Sequence, residues 1–344
     1  MTSTKQSTSY SIDAALIMIC SKGTSDYEHF CCENEGASLF YRYIEIKFSE
    51  YINIIKQIRT EELETLLRET TDFIGQKTKL RFVNLITKIC KGYLKILKEC
   101  YNPNPLSALS LLDRMLGEHN SAFRLNRYLN EQLVNYCSYL IKTQDILYRM
   151  RDEDVEKGIP DNCWHVPYNI RQYSYSGRFS IPGFPCLYLG EDIATCDAEI
   201  GELKMGKSRW CGSFTLKPQK QLGVVDLTFP SKKEIESMCS YDKFCLFLNY
   251  PLKILCCTKA LHKTDSFAEE YLFSQKLMNV LSEPSNDRNG ITRILGIVYN
   301  STKRKEGRNY VLSARPNSTP PAKDERHSKL LCSLLQHHNI EKVR

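Results

Sequence analysis

The dinucleotide fingerprint G-x-G-x-x-G is absent from these 344 residues, so a Rossmann-type cradle is excluded and a phosphate-bearing ligand needs another grip. No C-x-x-C pair occurs among the 15 cysteines, which leaves zinc knuckles without their defining half-site. Cys20, Cys31 and Cys32, with His29 close by, are the one group a structural zinc would use, and no catalytic metal is expected. The cysteines are odd in number and often sit in apolar runs such as FPCLYLG and LKILCCTKAL, the pattern of free buried thiols in a reducing compartment. Long apolar runs are missing near the start. Residues 14–20 (AALIMIC) fall far short of the roughly 20 that cross a bilayer, and neither a basic leader nor a small-residue cleavage site accompanies them. A cytoplasmic protein without a membrane span is therefore expected. No histidine is placed to activate a serine, which disfavours a serine hydrolase.

What is present describes an ordinary globular chain, with 42% apolar and 25% charged residues. Its length exceeds a single core of about 100 to 200 residues, so two domains are expected. Lys+Arg outnumber Asp+Glu by 47 to 40, a mild excess that suits anionic ligands without calling for nucleic acid. From about residue 37 to 143, apolar residues recur at i, i+3, i+4 and i+7, as in FYRYIEIKFSEYINIIKQI and LRFVNLITKICKGYLKIL, which predicts four or five amphipathic helices. From Leu147 short β-branched or aromatic runs take over. LYRMR, PCLYLG, WCGSFTL, GVVDLT, LKILCCT, RILGIVY and RNYVLS read as strands, with helices at about 192–204, 232–249 and 266–281. After Ser313 a Pro-rich charged stretch lacks the apolar content to fold, and LLCSLLQHHNI closes the chain as a short amphipathic helix. The expected domains are 1–144, helical with a Cys-rich start; 145–316, α+β and site-bearing; and 317–344, a basic Pro-containing linker and short helix.

Residues 147–199 hold most of the chemistry. Period-two alternation puts Arg149 and Arg151 on one face of the first strand, with Tyr148 and Met150 on the other. A guanidinium at mid-strand suits a bidentate hold on phosphate. Arg178 follows Gly177 in SGRFSIPGFP, where glycines and prolines set a tight loop whose backbone can approach a ligand. Asp192 is placed to cap a helix by accepting from the amides of Ala194 and Thr195. On that helix Glu199 and Glu202, three apart, share a face, and either is a candidate carboxylate. Ser301 stands at a strand exit, where its hydroxyl reads equally as a ligand contact or a turn cap. Asn309 and Tyr310 return on the next strand.

In this order the pieces resemble the RES domain family, named for an arginine, a glutamate and a serine. The likeness covers about residues 145–316. It is carried by Arg149 in its L-Y-R setting, the GRFSIPG loop of residues 177–183 with Tyr188 on the following strand, and the alanine-bearing segment ending in Glu199. Tyr271 and Gln275 supply a Y-x-x-x-Q helix, and Gly296, Ile297, Tyr299 and Ser301 a G-I-x-Y-x-S strand. The resemblance implies an ADP-ribosyltransferase-like α+β domain, two small β-sheets with flanking helices around an NAD cleft, behind an extra helical N-terminal domain. It also implies an NAD+-consuming toxin or antiphage-defence effector that cleaves the nicotinamide-ribose bond by hydrolysis or phosphorolysis, or else a protein ADP-ribosyltransferase using the same site. NAD+ is then the substrate. Carried onto these residues, Arg149 and Arg178 would bind the pyrophosphate or the nicotinamide ribose, with the Gly177 backbone close to the ligand. Tyr188, or else Tyr175, would stack near nicotinamide, Ser301 would orient the ribose, and Glu199 rather than Glu202 would support the departing nicotinamide. An antitoxin or regulatory protein and a second copy of the chain are the partners this implies.

Two other readings compete. Arg114 and His119 have the R-x4-H spacing of HEPN ribonucleases, although Gly117 weakens the helix that should carry them. A RES fold without catalysis would serve as an NAD- or ADP-ribose-binding interaction protein. The presence of the arginine, the glutamate and the serine together argues against that.

Overall fold

The computed structural model describes residues 9–23, 26–34, 39–70, 78–102, 105–116, 138–260, 268–281, 294–304, 306–316 and 321–344. The chain divides into two compact units: Met1–Tyr136 with Phe229–His262, and Cys137–Thr228 with Lys263–Arg344. The first is helical and the second is α+β.

The helical unit contains α1 (Ile12–Lys22), α2 (Tyr27–Glu33), α3 (Leu39–Lys56), α4 (Thr60–Thr70), α5 (Lys79–Cys100) and α6 (Pro105–Leu116). Phe40, Ile44, Phe48, Tyr51 and Ile55 make the buried stripe of α3, and Phe82, Ile86, Ile89, Tyr93 and Ile96 that of α5, as the 3.6-residue period requires. Two further helices, α8 (Lys232–Ser237) and α9 (Ser240–Cys257) in chain order, come from a later stretch of sequence. Residues 244–257 of α9 are all buried. Phe244 and Phe247 pack on Phe82 at ring separations of 5.8 and 6.1 Å, and Tyr250 on Tyr51 at 4.7 Å. The run LKILCCT, expected as a strand, is the last part of this helix. An apolar run buried on every side shows neither period, so its surroundings decide its form, and Pro251 is carried inside the helix.

Arg114 lies on α6, while His119 lies outside the described residues. Cys20 is buried in α1, Cys32 is exposed, and His29 approaches Glu33 at 3.2 Å. Among the described residues no three His, Cys, Asp or Glu side chains are grouped to hold a metal. Nor is any helix among them long and apolar enough to cross a membrane.

The α+β unit is built on β1 (Ser138–Ile141), β2 (Ile146–Asp154), β3 (Cys186–Gly190), β4 (Lys207–Leu216), β5 (Leu222–Asp226), β6 (Ile294–Asn300), β7 (Arg308–Ser313) and β8 (Leu335–Lys342). They lie in the order β1-β5-β6-β7-β3-β2-β4-β8. All neighbours are antiparallel except β5 and β6. β2 and β3 are joined through one residue pair, Tyr148 with Gly190. The expected two small sheets are thus a five-stranded and a three-stranded half fastened at a point. One face of both halves closes over Leu147, Leu187, Leu189, Phe214, Val298, Tyr310 and Leu312. The paired residues Tyr148, Gly190, Asn309 and Tyr299 alternate with these and share the opposite face. Among the described residues three α-helices complete the unit: α7 (Ile193–Ile200), α10 (Leu272–Leu281) and α11 (Lys329–Leu334).

The C-terminal segment departs from expectation. LLCSLLQHHNI is helical only as far as Leu334, and β8 then pairs with β4. Without β8 this side of β4 would be an open edge of unpaired backbone groups. The availability of that edge makes a strand of residues whose local pattern favours a helix. The stretch before it is seated as well, with Ser328 N donating to His165 Nε2 at 2.9 Å and Tyr168 N to Arg326 O at 2.9 Å.

Candidate functional site

Glu199 is brought to the site by α7. Asp192 caps that helix, its side chain accepting from Thr195 N at 2.7 Å, and Gly201 ends it at a φ of 84°, which an L side chain would resist. Close approach to the sheet depends on Gly190, where a Cβ would lie 2.7 Å from Cys196 Sγ. That thiol donates to Tyr148 O at 3.1 Å. Two clasps then tie the turn after β6 to the helix. Arg304 Nη1 donates to Asp192 Oδ1 and Thr195 Oγ1 at 2.7 and 2.8 Å, and Arg308 N donates to Glu191 Oε1 at 2.8 Å. As a result Ser301 Oγ donates to Glu199 Oε1 at 2.6 Å, and Asn309 Nδ2 to the same oxygen at 2.7 Å. Among the described residues no hydrogen bond ends on Oε2. Ser301 Oγ also accepts from the amides of Lys303 and Arg304 at 3.1 Å each, so its proton and its lone pairs are all committed. Glu202 is exposed.

Arg178 is buried, with its guanidinium 5.2 Å from the Tyr271 ring and 6.0 Å from the Tyr299 ring. Tyr299 lies within electrostatic reach of both Arg178 and Glu199, and burial above all holds its hydroxyl well above the usual tyrosine range. The Arg178 loop is locked from two sides. Gln275 Nε2 donates to Gly177 O and Ser180 O at 2.9 and 3.2 Å, and Ser274 Oγ to Arg178 O at 2.6 Å. From β3, Tyr188 Oη accepts from Phe179 N at 3.1 Å and donates to Ser180 Oγ at 3.2 Å. Gly177 is required here, because a Cβ would stand 2.9 Å from Tyr188 Oη and 2.7 Å from Ser180 Oγ. The Tyr188 hydroxyl therefore braces the loop, while Tyr175 is 75% exposed.

Arg149 directly follows the single pair that joins β2 to β3. Among the described residues its buried Nη1 has no hydrogen-bond partner. Burial first, and then the charge of Arg151, bring its pKa down to about 10. An unmade donor on a buried cation is costly, and an anionic ligand would satisfy it. Arg151 is differently employed, donating to Asn162 O at 3.0 Å and pairing with Glu153 at 2.5 Å.

Two features escape the sequence reading. The role of Asn309 is the first; the available signal is a poor strand former at the second position of RNYVLS, whose burial demands a hydrogen-bonding partner. The second is residues 201–208, GELKMGKS, a literal match to the P-loop pattern G-x-x-x-x-G-K-[ST]. A P-loop runs from a strand into a helix, whereas this string leaves α7 and enters β4. Lys207 Nζ pairs with Asp154 at 2.7 Å and Ser208 is buried in the strand, so the string is no phosphate cradle.

A family model described as RES domain matches residues 146–330. The chain is also similar to a Bacillus subtilis (strain 168) protein named "Putative toxin YopC", 25% identical over 224 residues that make up 60% of this chain and 48% of that protein. The match thus spans about half the length of this curated relative. No solved structure matches.

Proposed function

The chain belongs to the RES domain family, and from that premise we propose that it consumes NAD+ by cleaving the bond between nicotinamide and ribose. The observation that carries this reading is the held carboxylate: Glu199, bound on Oε1 by Ser301 and Asn309, with Oε2 taking no hydrogen bond from any described residue. When the glycosidic bond breaks, its electron pair goes to the pyridinium nitrogen. Nicotinamide therefore leaves neutral and needs no acid. The positive charge stays on the ribose as an oxocarbenium ion, which a carboxylate beside the 2′-hydroxyl stabilises. Because Ser301 and Asn309 already orient Glu199, little reorganisation is needed as that charge develops. In this scheme Ser301 serves the carboxylate rather than the ribose.

Arg178, beside Tyr299, would take the pyrophosphate, whereas Arg149 alternates with Tyr148 onto the face of Leu147, within electrostatic reach of Cys163 and His165. Water, phosphate or a protein side chain then attacks C1′ and gives up a proton, which distinguishes hydrolysis, phosphorolysis and ADP-ribosyl transfer. The name of the Bacillus relative supports a toxin-like role, and an enzyme that consumes NAD+ inside its own cell needs a restraint such as an antitoxin.

The test is nicotinamide release from NAD+ by the purified full chain. Wild type should release it, and Glu199→Gln should slow release about 100-fold, the scale of losing one oriented charge-stabilising group. Undiminished release by that variant would reject the mechanism, and no release by wild type would reject the function. Repeating the assay with added phosphate, and with NAD+ labelled in its adenosine half, identifies the acceptor.

A further inference from the structure

We propose that Arg209 is a positioning residue for Glu199, holding the C-terminal end of α7 against β2. This rests on the role proposed above for Glu199. Arg209 lies on β4 directly opposite Asp152 of β2, and its side chain is wholly buried, the largest such side chain among the described residues. Nε and Nη2 donate to the two Asp152 oxygens at 2.7 and 2.9 Å. Nη1 donates to Asp197 Oδ1 at 2.6 Å and to Gly201 O at 2.8 Å. One rigid plane thus joins both strands to a helix side chain and to the backbone just past the helix end.

Glu199 stands between those two anchor points, two residues from each. The last carbonyls of a helix lack partners within it, and helix ends fray unless something outside satisfies them. Here the guanidinium does so, and the favourable sign of a cation at a helix C-terminus adds to the hold. A buried ion pair contributes little net stability compared with apolar packing of the same volume, so placement is what this group supplies. The fork geometry is specific to arginine, since a lysine ammonium is a point charge that cannot span the same partners. A carboxylate displaced by about 1 Å loses on the order of 100-fold in rate, and the last turn of α7 is what keeps Glu199 on Ser301 and Asn309.

The test uses the full chain carrying Asp197→Asn, which leaves Arg209 its bonds to Asp152 and Gly201, and separately Arg209→Lys. Asp197→Asn also takes from Arg344 Nη2 the charge it meets at Asp197 Oδ2 at 2.9 Å, so Arg344→Gln serves as the matched control. Hydrogen exchange is followed at the amides of residues 198–201, together with kcat and KM for nicotinamide release per folded enzyme. The exchange at these amides should quicken about tenfold while protection elsewhere in the unit is kept. kcat should fall about tenfold or more with KM little changed, as expected when a group acting only in the transition state is misplaced. In a Glu199→Gln background, Asp197→Asn should cost almost nothing further, because the two act through one group. Unchanged exchange at residues 198–201 overturns the proposal. So does an equal additional loss in the Glu199→Gln background, or a loss of protection throughout the unit with normal kcat in the folded fraction. If wild type releases no nicotinamide, the proposed function fails, and the exchange measurement still decides whether Arg209 holds the turn.

Discussion

His165 is fully buried and carries its proton on Nδ1, because Nε2 accepts from Ser328 N at 2.9 Å while Nδ1 faces Val166 O at 2.8 Å. Burial, reinforced by His327 and Arg149, pushes its pKa down to about 3. Between about pH 3 and the ordinary histidine value near 6.5, the unfolded chain binds a proton that the native state refuses. Its stabilising contribution is therefore complete above pH 6.5 and is lost as the pH falls through that window. Burial shifts His327 and His337 in the same direction. Thermal unfolding of the α+β unit should move to lower temperature as pH drops from 6.5 to 4. His165→Gln, which keeps an acceptor for Ser328 N, should reduce that dependence, and an unaltered slope would clear His165 of the effect. Arg149, Arg178, Glu199 and Ser301 stand out in sequence as candidates because their types and order are distinctive, and of these the structure joins Glu199 to Ser301 by a hydrogen bond. Asn309 does not stand out, since its role exists only where β7 passes α7. Tyr188 is legible as a site residue, but its hydroxyl turns out to brace the loop, which only the distances to Phe179 N and Ser180 Oγ reveal.

Elements succeed or fail in the sequence according to whether their environment is one-sided. β2, β4, β6 and β7 alternate or carry β-branched residues and are read directly, as are α3 and α5 from their stripes. α9 and β8 are misread because one is buried all round and the other is made by its neighbour's open edge. Gly296, within the G-I-x-Y-x-S strand, shows how an element sets the site. A Cβ there would lie 2.1 Å from Val311 O, so the glycine lets β7 lie close to β6. Gly296→Ala should therefore cost about 3 kcal/mol or more in denaturant unfolding, the scale of overpacking in a closed core. Gly183→Ala is the contrast. Its added methyl meets nothing within 4 Å among the described residues, but its φ of 81° would cost about 1 to 2 kcal/mol. Equal effects from the two substitutions would contradict the close-approach account.

Across the whole molecule the chain passes between its two units three times, so the helical unit is not a detachable N-terminal module. Removing residues 1–136 would take away Tyr51 and Phe82, against which Tyr250, Phe244 and Phe247 of α9 pack. The truncated chain should then expose a long apolar helix, aggregate and bind a hydrophobic dye. A soluble, dye-silent fragment 137–344 that releases nicotinamide would show instead that α9 finds other cover. Residue type, order and local period were enough for the family, the α+β class and the helical first part, and for naming an arginine, a glutamate and a serine as candidates for the site. Tertiary structure alone decided that residues 229–262 fold with the helical unit, that the last residues form a strand, that GELKMGKS is no phosphate cradle, and that Asn309 and Arg209 converge on α7. Each of those turns on what a segment finds beside it in space, and a one-dimensional pattern carries no record of a neighbour a hundred residues away.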